Sequence, residues 1–429
     1  MLLVDLLWSK MLREFVIKGF KSLKDVKLNL SKITVIIGPN RAGKSSVLQA
    51  LMMLRQSVGT QALVTKGKYL TLGTFDEILS KGVEEMEFQI IGDTYLKSVR
   101  KLFPLSLGKI NFRYHLKFRE GRLTWHYCGI RIGKWQIIFE SDLEKPESTI
   151  KPERLTHELF KLSLSPGGLI GNILNVSIDK IVEESIRSDV SALKRDLEGV
   201  IVDVLSKIYH VPALRGIDKI SYDLKGYRED IIASSEGASM FASHTADVLA
   251  YNRQLEEKLN KWCSEITGAT VYVNLIPRDK VSILSKDIDV NILNEGFGVN
   301  QLLPMLLQLL LCPTGSIIGI EEPEIHLHPR SQAKLVDVLV DIVKKENKQL
   351  IITTHSEHVL LRFLMAVAKK LIKPEDLSVY YFNKNRWTKA ERLSVNKYGQ
   401  IEEGLKGFFE FEIGQLEEYV DALRKFGMV

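Results

Sequence analysis

Gly38-Pro39-Asn40-Arg41-Ala42-Gly43-Lys44-Ser45 is the stretch on which the reading of this chain turns. It matches GxxxxGK[ST] in full. Residues 33–37 (ITVII) precede it, a continuous β-branched run of the kind that forms a strand buried on both faces. Residues 44–54 follow with Val47, Leu48, Leu51, Met52 and Leu54 at helical spacing. Strand, glycine loop and helix in that order aim backbone N–H groups and a helix N-terminus at phosphate oxygens. Residues Gly38 to Ser46 (Gly38, Pro39, Asn40, Arg41, Ala42, Gly43, Lys44, Ser45 and Ser46) are thus expected to bind ATP. Lys44 would reach the β- and γ-phosphates, and Ser45 would ligate Mg²⁺.

Further along, residues 316–320 (SIIGI) and 350–353 (LIIT) are two more buried strands, separated by an amphipathic helix over 329–345. Strand–helix–strand with buried strands predicts a parallel sheet. Glu321-Glu322 directly follows the first of these strands and His355 the second. Carboxylates at a strand end beside a phosphate loop suit Mg²⁺ binding and the activation of water, and a His there can read the γ-phosphate. His326, His328, His355 and His358 also have zinc-like spacing, but no Cys is near them in sequence.

These motifs resemble the ABC-type ATPase heads of the SMC, RecF and OLD-like group. Phe15-Val16-Ile17-Lys18-Gly19-Phe20-Lys21-Ser22-Leu23-Lys24 is similar to that group's strand pair before the loop. Glu321-Glu322-Pro323-Glu324-Ile325-His326-Leu327-His328-Pro329 is similar to the Walker B segment and tail of the AAA-domain ATPases of the OLD-like branch. The resemblance implies a P-loop α/β fold, with Glu321 at the Mg²⁺ position, Glu322 as catalytic base and residues 325–329 as the D-loop. Glu295-Gly296-Phe297-Gly298-Val299-Asn300-Gln301 stands where the group carries its signature loop. Gly298 matches the second glycine, Gly296 replaces the serine, and Asn300 is the expected substitute for it. Gln56 and Gln61 are the candidates for the Q-loop glutamine. Such heads hydrolyse ATP across a dimer interface, so the resemblance also implies a homodimer that forms on ATP. OLD nucleases carry a TOPRIM domain with a DxD pair. The 73 residues after Ser356 contain no DxD, so any nuclease or other effector is expected to be a separate protein.

The expected organisation is a discontinuous head, residues 11–145 and 266–429, with a mainly helical insertion over 146–265. Residues 173–208 and 245–266 are read as helical and 210–243 mostly as loop. Residues 84–140 are read as an antiparallel β-subdomain. In it, Ile110, Phe112, Tyr114, Leu116 and Phe118 alternate with Lys109, Arg113, Lys117 and Arg119. That basic stripe could follow the phosphates of DNA; a solvated sheet face is the alternative.

Composition is ordinary for a globular chain of 429 residues, 45% hydrophobic and 26% charged, which excludes disordered and fibrous classes. The net charge is +6. It is uneven: residues 1–150 hold 24 Lys/Arg against 14 Asp/Glu, so the excess of base lies on the N-terminal side and favours an anionic partner. The most apolar stretch, residues 302–312, is far shorter than the ~20 residues of a membrane span. Cys128, Cys263 and Cys312 are odd in number and unpaired in spacing, which predicts reduced thiols and a cytoplasmic protein. Residues 1–10 lack signal-peptide features and are expected to be a mis-assigned start before Met11 or a short arm.

Overall fold

Runs of β-branched residues that are apolar on both faces form the centre of the molecule. The structure, a computed structural model, describes residues 10–60, 62–95, 109–132, 135–142, 162–166, 174–178, 195–196, 199–226 and 238–402. The first described elements are β1 (Lys10–Phe20), β2 (Leu23–Asn29), β3 (Ile33–Ile37) and α1 (Lys44–Gln56), followed by the short α2 (Phe75–Ile78). Next come β4 (Glu85–Tyr95), β5 (Lys109–Arg119), β6 (Arg122–Ile132) and β7 (Trp135–Asp142). The middle holds β8 (Leu162–Pro166), β9 (Leu174–Ile178), β10 (Ile208–Val211), β11 (Tyr222–Asp223), α3 (Ala238–Tyr251), α4 (Arg253–Thr267), β12 (Val271–Ile276) and β13 (Lys280–Ser285). The last third adds α5 (Ile292–Glu295), α6 (Phe297–Leu311), β14 (Ile317–Glu321), α7 (Pro329–Glu346), β15 (Gln349–Thr353), α8 (Glu357–Ala368), β16 (Leu377–Lys384) and β17 (Thr388–Leu393).

Two six-stranded sheets dominate. The first is antiparallel, in the order β2-β1-β4-β5-β6-β7. The second has the order β10-β14-β15-β3-β16-β17 and is parallel except for β17. Helix α1 is packed between them. One core unites Phe15, Phe20, Phe88, Phe112 and Phe118 of the antiparallel sheet, Leu48, Leu51 and Met52 of α1, and Ile36, Ile317 and Ile351 of the parallel sheet. The opposite face of the parallel sheet, through Val35, Ile318, Ile320 and Ile352, packs on α3, α4, α6, α7 and α8. The result is a P-loop α/β fold with three layers around the sheet that carries the motifs.

The antiparallel β-subdomain forms as expected. Ile110, Phe112, Tyr114, Leu116 and Phe118 are all buried on one face of β5. Within the segment expected as a mainly helical insertion, 146–265, helical residues outnumber strand residues among the described residues, but the reading of 173–208 as helical is corrected where β9 and the start of β10 fall in it. β8 and β9 pair as a hairpin, and β10 is an edge strand of the central parallel sheet, paired with β14 from Ile208↔Ile317 to Val211↔Ile320. The physical reason is that Ile208, Tyr209, His210 and Val211 are buried on both faces. A four-residue run with no alternation carries neither strand nor helix periodicity, and only its distant partner β14 fixes it as strand. α3 and α4 are helices, close to the predicted span.

Candidate functional site

In a parallel sheet the strands all point the same way, so their C-terminal ends form one rim. β14, β15 and β3 are neighbours, with Ile320↔Ile352↔Val35 and Glu321↔Thr353↔Ile36 in register. Three segments far apart in sequence therefore leave the sheet side by side: the glycine loop after β3, Glu321-Glu322 at the end of β14, and His355 after β15. They line one cleft of about 360 Å³ with Asn40, Arg41, Gly43, Lys44, Ser45, Glu322 and His355 in its wall.

Sequence and geometry explain the loop. Gly38 (φ 143°) and Gly43 (φ 96°) lie in backbone regions that L side chains rarely adopt. A Cβ at Gly38 would stand 2.1 Å from the Phe382 carbonyl oxygen, and one at Gly43 would stand 2.6 Å from Thr388 Oγ1. Gly43 is also the N-cap of α1. No side chain caps this helix, and its first turn carries no acid. Its free N–H groups and positive dipole end are thus available to an anion.

Lys44 Nζ donates to the carbonyls of Gly38 and Pro39 and meets His355 Nε2, each at 2.9 Å. Burial lowers its pKa to about 8, against the opposing charges of Glu322 and Glu324. The His355 pKa is also lowered, first by burial and then by the Lys44 charge, with Glu322 opposing. A neutral His355 then accepts from the lysine. Ser45 Oγ donates to Glu321 Oε2 at 2.9 Å. Glu321 Oε1 meets His210 Nε2 at 2.9 Å. Burial alone would raise the Glu321 pKa. The hydrogen bond and charge of His210 and the Ser45 hydroxyl outweigh it and hold the carboxyl below the usual range. An ionised carboxylate and a hydroxyl are hard oxygen donors that fit Mg²⁺. Among the described residues no three His, Cys, Asp or Glu side chains converge on a metal position. Such an ion would take its other ligands from phosphate and water, as Mg²⁺ commonly does.

Glu322 has φ 43°, strained for a non-glycine residue. Its N–H donates to the Thr353 carbonyl at 2.8 Å, and its Oε1 lies 3.7 Å from His355 Nε2. Glu324 is buried beneath them. Its Oε1 accepts from Thr354 Oγ1 at 2.5 Å and from the His355 N–H at 3.0 Å, and burial raises its pKa.

A family model described as "AAA ATPase domain" matches residues 11–116 and 169–360, more than half of the chain. The chain belongs to the AAA ATPase domain family. The match agrees with the ATPase group that the motifs resemble. Its second stretch begins at residue 169 and runs through most of the segment expected as an insertion. Endonuclease GajA of Bacillus cereus (strain HuB5-5) is 22% identical over 383 residues, or 80% of this chain and 54% of that protein. The chain thus spans about half the length of this curated relative. Among solved structures, the SmcHead bound to the C-winged helix domain of ScpA is 16% identical with a TM-score of 0.47, covering 90% of this chain and 98% of that one. The SMC head domain from Thermotoga maritima is 13% identical with a TM-score of 0.40, covering 90% and 99%.

Within this ATPase domain the structure brings Gly38 to Ser46, Glu321, Glu322 and His355 together as the sequence predicted. Other expected residues stand elsewhere. Asn300, the expected substitute for the signature serine, is only 2% exposed, and its Nδ2 donates to the Ile217 carbonyl at 2.8 Å. Its Nδ2 holds a neighbouring loop, and its buried Oδ1 has no hydrogen-bond partner among the described residues. Gly296 is exposed at the N-cap of α6, and Gly298 lies against the His326 carbonyl, 2.9 Å from where its Cβ would be. Gln56 sits at the far end of α1, ~18 Å from Lys44 at 1.5 Å per residue, and donates to the carbonyls of Val64 and Leu70. It is therefore no contact to a γ-phosphate, and Gln61 lies outside the described residues. His328 caps α7 through Arg330 N–H→Nδ1 at 3.2 Å.

The basic stripe also reads differently. Arg119 pairs with Glu85 at 2.5 Å, and Lys117 lies 3.6 Å from Glu87, which also meets His115. Acids of β4 opposite β5 partly neutralise the row. The cross-strand pairing Glu85↔Arg119 and Glu87↔Lys117 that does so is invisible along one strand. Arg113 is exposed; the side chain of Lys109 lies outside the described residues.

The sequence reading missed His210, Lys21, Ser22, Thr388 and Lys384. Lys21, Ser22 and Lys384 line the cleft. Lys21 Nζ donates to Gln49 Oε1 at 2.7 Å, and burial lowers its pKa against the Glu321 charge. Thr388 Oγ1 donates to the Ala42 carbonyl and Ser22 Oγ at 2.8 Å. Lys21-Ser22 falls within the quoted opening motif, which was the available signal; the rest had none.

Proposed function

We propose that the chain binds MgATP in this cleft and hydrolyses it. Lys44 and the N-terminus of α1 hold the phosphates, Ser45 and Glu321 hold Mg²⁺, Glu322 accepts the proton of the attacking water, and His355 reads the γ-phosphate. The carrying observation is the meeting of Lys44, Ser45, Glu321, Glu322 and His355 on adjacent strand ends. Mg²⁺, when bound, supplies charge that stabilises the phosphoryl group in the transition state. The positioned carboxylate adds general-base catalysis of roughly 10²–10⁴-fold.

Helix α6 presents a second helix N-terminus with no side-chain cap and no acid in its first turn. This supports a homodimer in which the N-terminal end of α6 at the exposed Gly296 covers the nucleotide of a second copy and completes the charge stabilisation. The likeness to an endonuclease supports an ATPase that acts in DNA maintenance or defence. The second reading is a nucleotide-gated switch with little turnover that controls a partner nuclease or toxin. It is favoured by Gly296, which has no side chain to offer a γ-phosphate.

Steady-state phosphate release, with and without DNA, tests both. Lys44→Ala should lose ATP binding. Glu322→Gln should keep binding, lose turnover and accumulate ATP-bound dimers in size-exclusion chromatography. Unchanged turnover in Glu322→Gln would remove Glu322 as the base.

A further inference from the structure

Arg215 is only 1% exposed, among the largest fully buried side chains in the described residues, and it faces no carboxylate within ion-pairing distance among the contacts it makes. Its guanidinium is spent on backbone carbonyls. Nη1 donates to Pro212, Ala213 and Glu321 at 2.8, 3.2 and 2.9 Å. Nη2 donates to Glu322 at 3.1 Å and Pro323 at 3.4 Å. Nε donates to the Gln301 carbonyl at 3.1 Å, while the Arg215 N–H donates to Gln301 Oε1 at 3.2 Å. One planar fork thus joins the loop after β10, the N-terminal part of α6 at Gln301 and three consecutive carbonyls at the end of β14.

The neighbourhood is built for this. Gly216 has no room for a side chain: a Cβ would stand 2.2 Å from Gln301 Nε2 and 2.4 Å from Asn300 Oδ1. Asn300 in turn donates to the Ile217 carbonyl. The loop 215–217 is therefore bonded to α6 and, through Arg215, to the carbonyls of 321–323. Glu322, whose φ of 43° is unfavourable for a side-chain-bearing residue, sits at the centre of the clamped segment. Strain of that kind persists only where the surroundings over-determine it.

We propose that Arg215 is a positioning residue. It fixes the carbonyls of Glu321, Glu322 and Pro323, holds Glu322 in its left-handed backbone conformation, and so aims the Glu322 carboxylate across the cleft, with α6 as the anchor. This rests on the reading of Glu322 as the base. Under the dimer reading it also joins the helix that touches the second copy's nucleotide to the base in its own cleft. Lysine cannot replace the arginine, because a single ammonium has three donors and no flat fork to span carbonyls in two directions.

The test compares wild type, Arg215→Lys, Glu322→Gln and the double variant in the full chain. Expected for Arg215→Lys is a fall in kcat of about 10- to 100-fold, the scale of an ångström-sized misplacement. The Kd for ATP in EDTA should change less than about 2-fold, since no Arg215 bond reaches the glycine loop. In single-turnover assays Arg215→Lys should cost nothing further on top of Glu322→Gln. Amide exchange should rise at Ile325 and Leu327, whose N–H groups donate to Glu322 and Glu324, and stay unchanged in Gln349–Thr353. An unchanged kcat, fully additive losses, or a parallel loss of ATP binding and melting temperature would each overturn the proposal. If wild type binds ATP without turnover, hydrolysis fails as the function, and the exchange rates decide alone: no change at Ile325 and Leu327 sinks the clamp.

Discussion

Raising the pH from 7 to 9 should weaken ATP binding through Lys44. Burial lowers its pKa from 10.5 to about 8 in the free protein. Phosphate oxygens favour the charged form and raise the value again on binding. At pH 7 about nine in ten free molecules carry the proton; at pH 9 about one in ten do, from the ordinary titration relation. The apparent Kd should therefore be flat below pH 8 and rise about tenfold between pH 7 and 9, with binding at pH 9 taking up close to one proton. Isothermal calorimetry in two buffers of different ionisation enthalpy reads both quantities. His355, whose pKa is lowered from 6.5, is already neutral over this range and adds no break. Lys21 also has a lowered pKa, so Lys21→Met is the control and should keep the break. Lys44→Arg, charged throughout, should bind in a pH-independent way. A flat wild-type Kd from pH 7 to 9, or a break that survives in Lys44→Arg, would refute the assignment. The same shift affects stability. Between about pH 8 and 10.5 the unfolded chain keeps a proton at residue 44 that the folded chain has lost, so the nucleotide-free protein gains stability as pH rises through that window.

Three further outcomes are expected. Gly43→Ala should destabilise the protein by about 1–3 kcal/mol in thermal unfolding, from its positive φ and the contact with Thr388 Oγ1, and should abolish ATP binding. Asn300→Ala should cost about 1–3 kcal/mol of stability by leaving the buried Ile217 carbonyl unpaired, with ATP affinity unchanged; a turnover defect without a stability loss would restore it as a contact residue. His210→Ala should raise the Mg²⁺ concentration for half-maximal phosphate release about tenfold, because Glu321 Oε1 loses its partner; an unaltered Mg²⁺ requirement would show that Glu321 needs no such support.

The glycine loop, Glu321-Glu322 and His355 were legible because each follows a short run that is apolar on both faces, and local pattern is sufficient to mark a strand end. Their chemistry follows from residue type. The clean alternation of Ile110 to Phe118 fixed the inner face of β5 in the same way. Three things needed the fold. His210 and β10 belong to the sheet only through pairing with β14, and a partner over a hundred residues away leaves no local period. The acids that neutralise Lys117 and Arg119 come from the facing strand β4, and cross-strand register is not written in either strand alone. Asn300 looked like a ligand contact by its place after two glycines, but burial against the Ile217 carbonyl decided otherwise. What the sequence determined was which strand ends carry the glycine loop, the Glu321-Glu322 pair and His355, because those depend on neighbours within a few residues. Only the tertiary structure decided which of those groups face one another and that buried Arg215 bonds the carbonyls of Glu321, Glu322 and Pro323, because strand order and loop packing are set by contacts between segments that the chain order does not reveal.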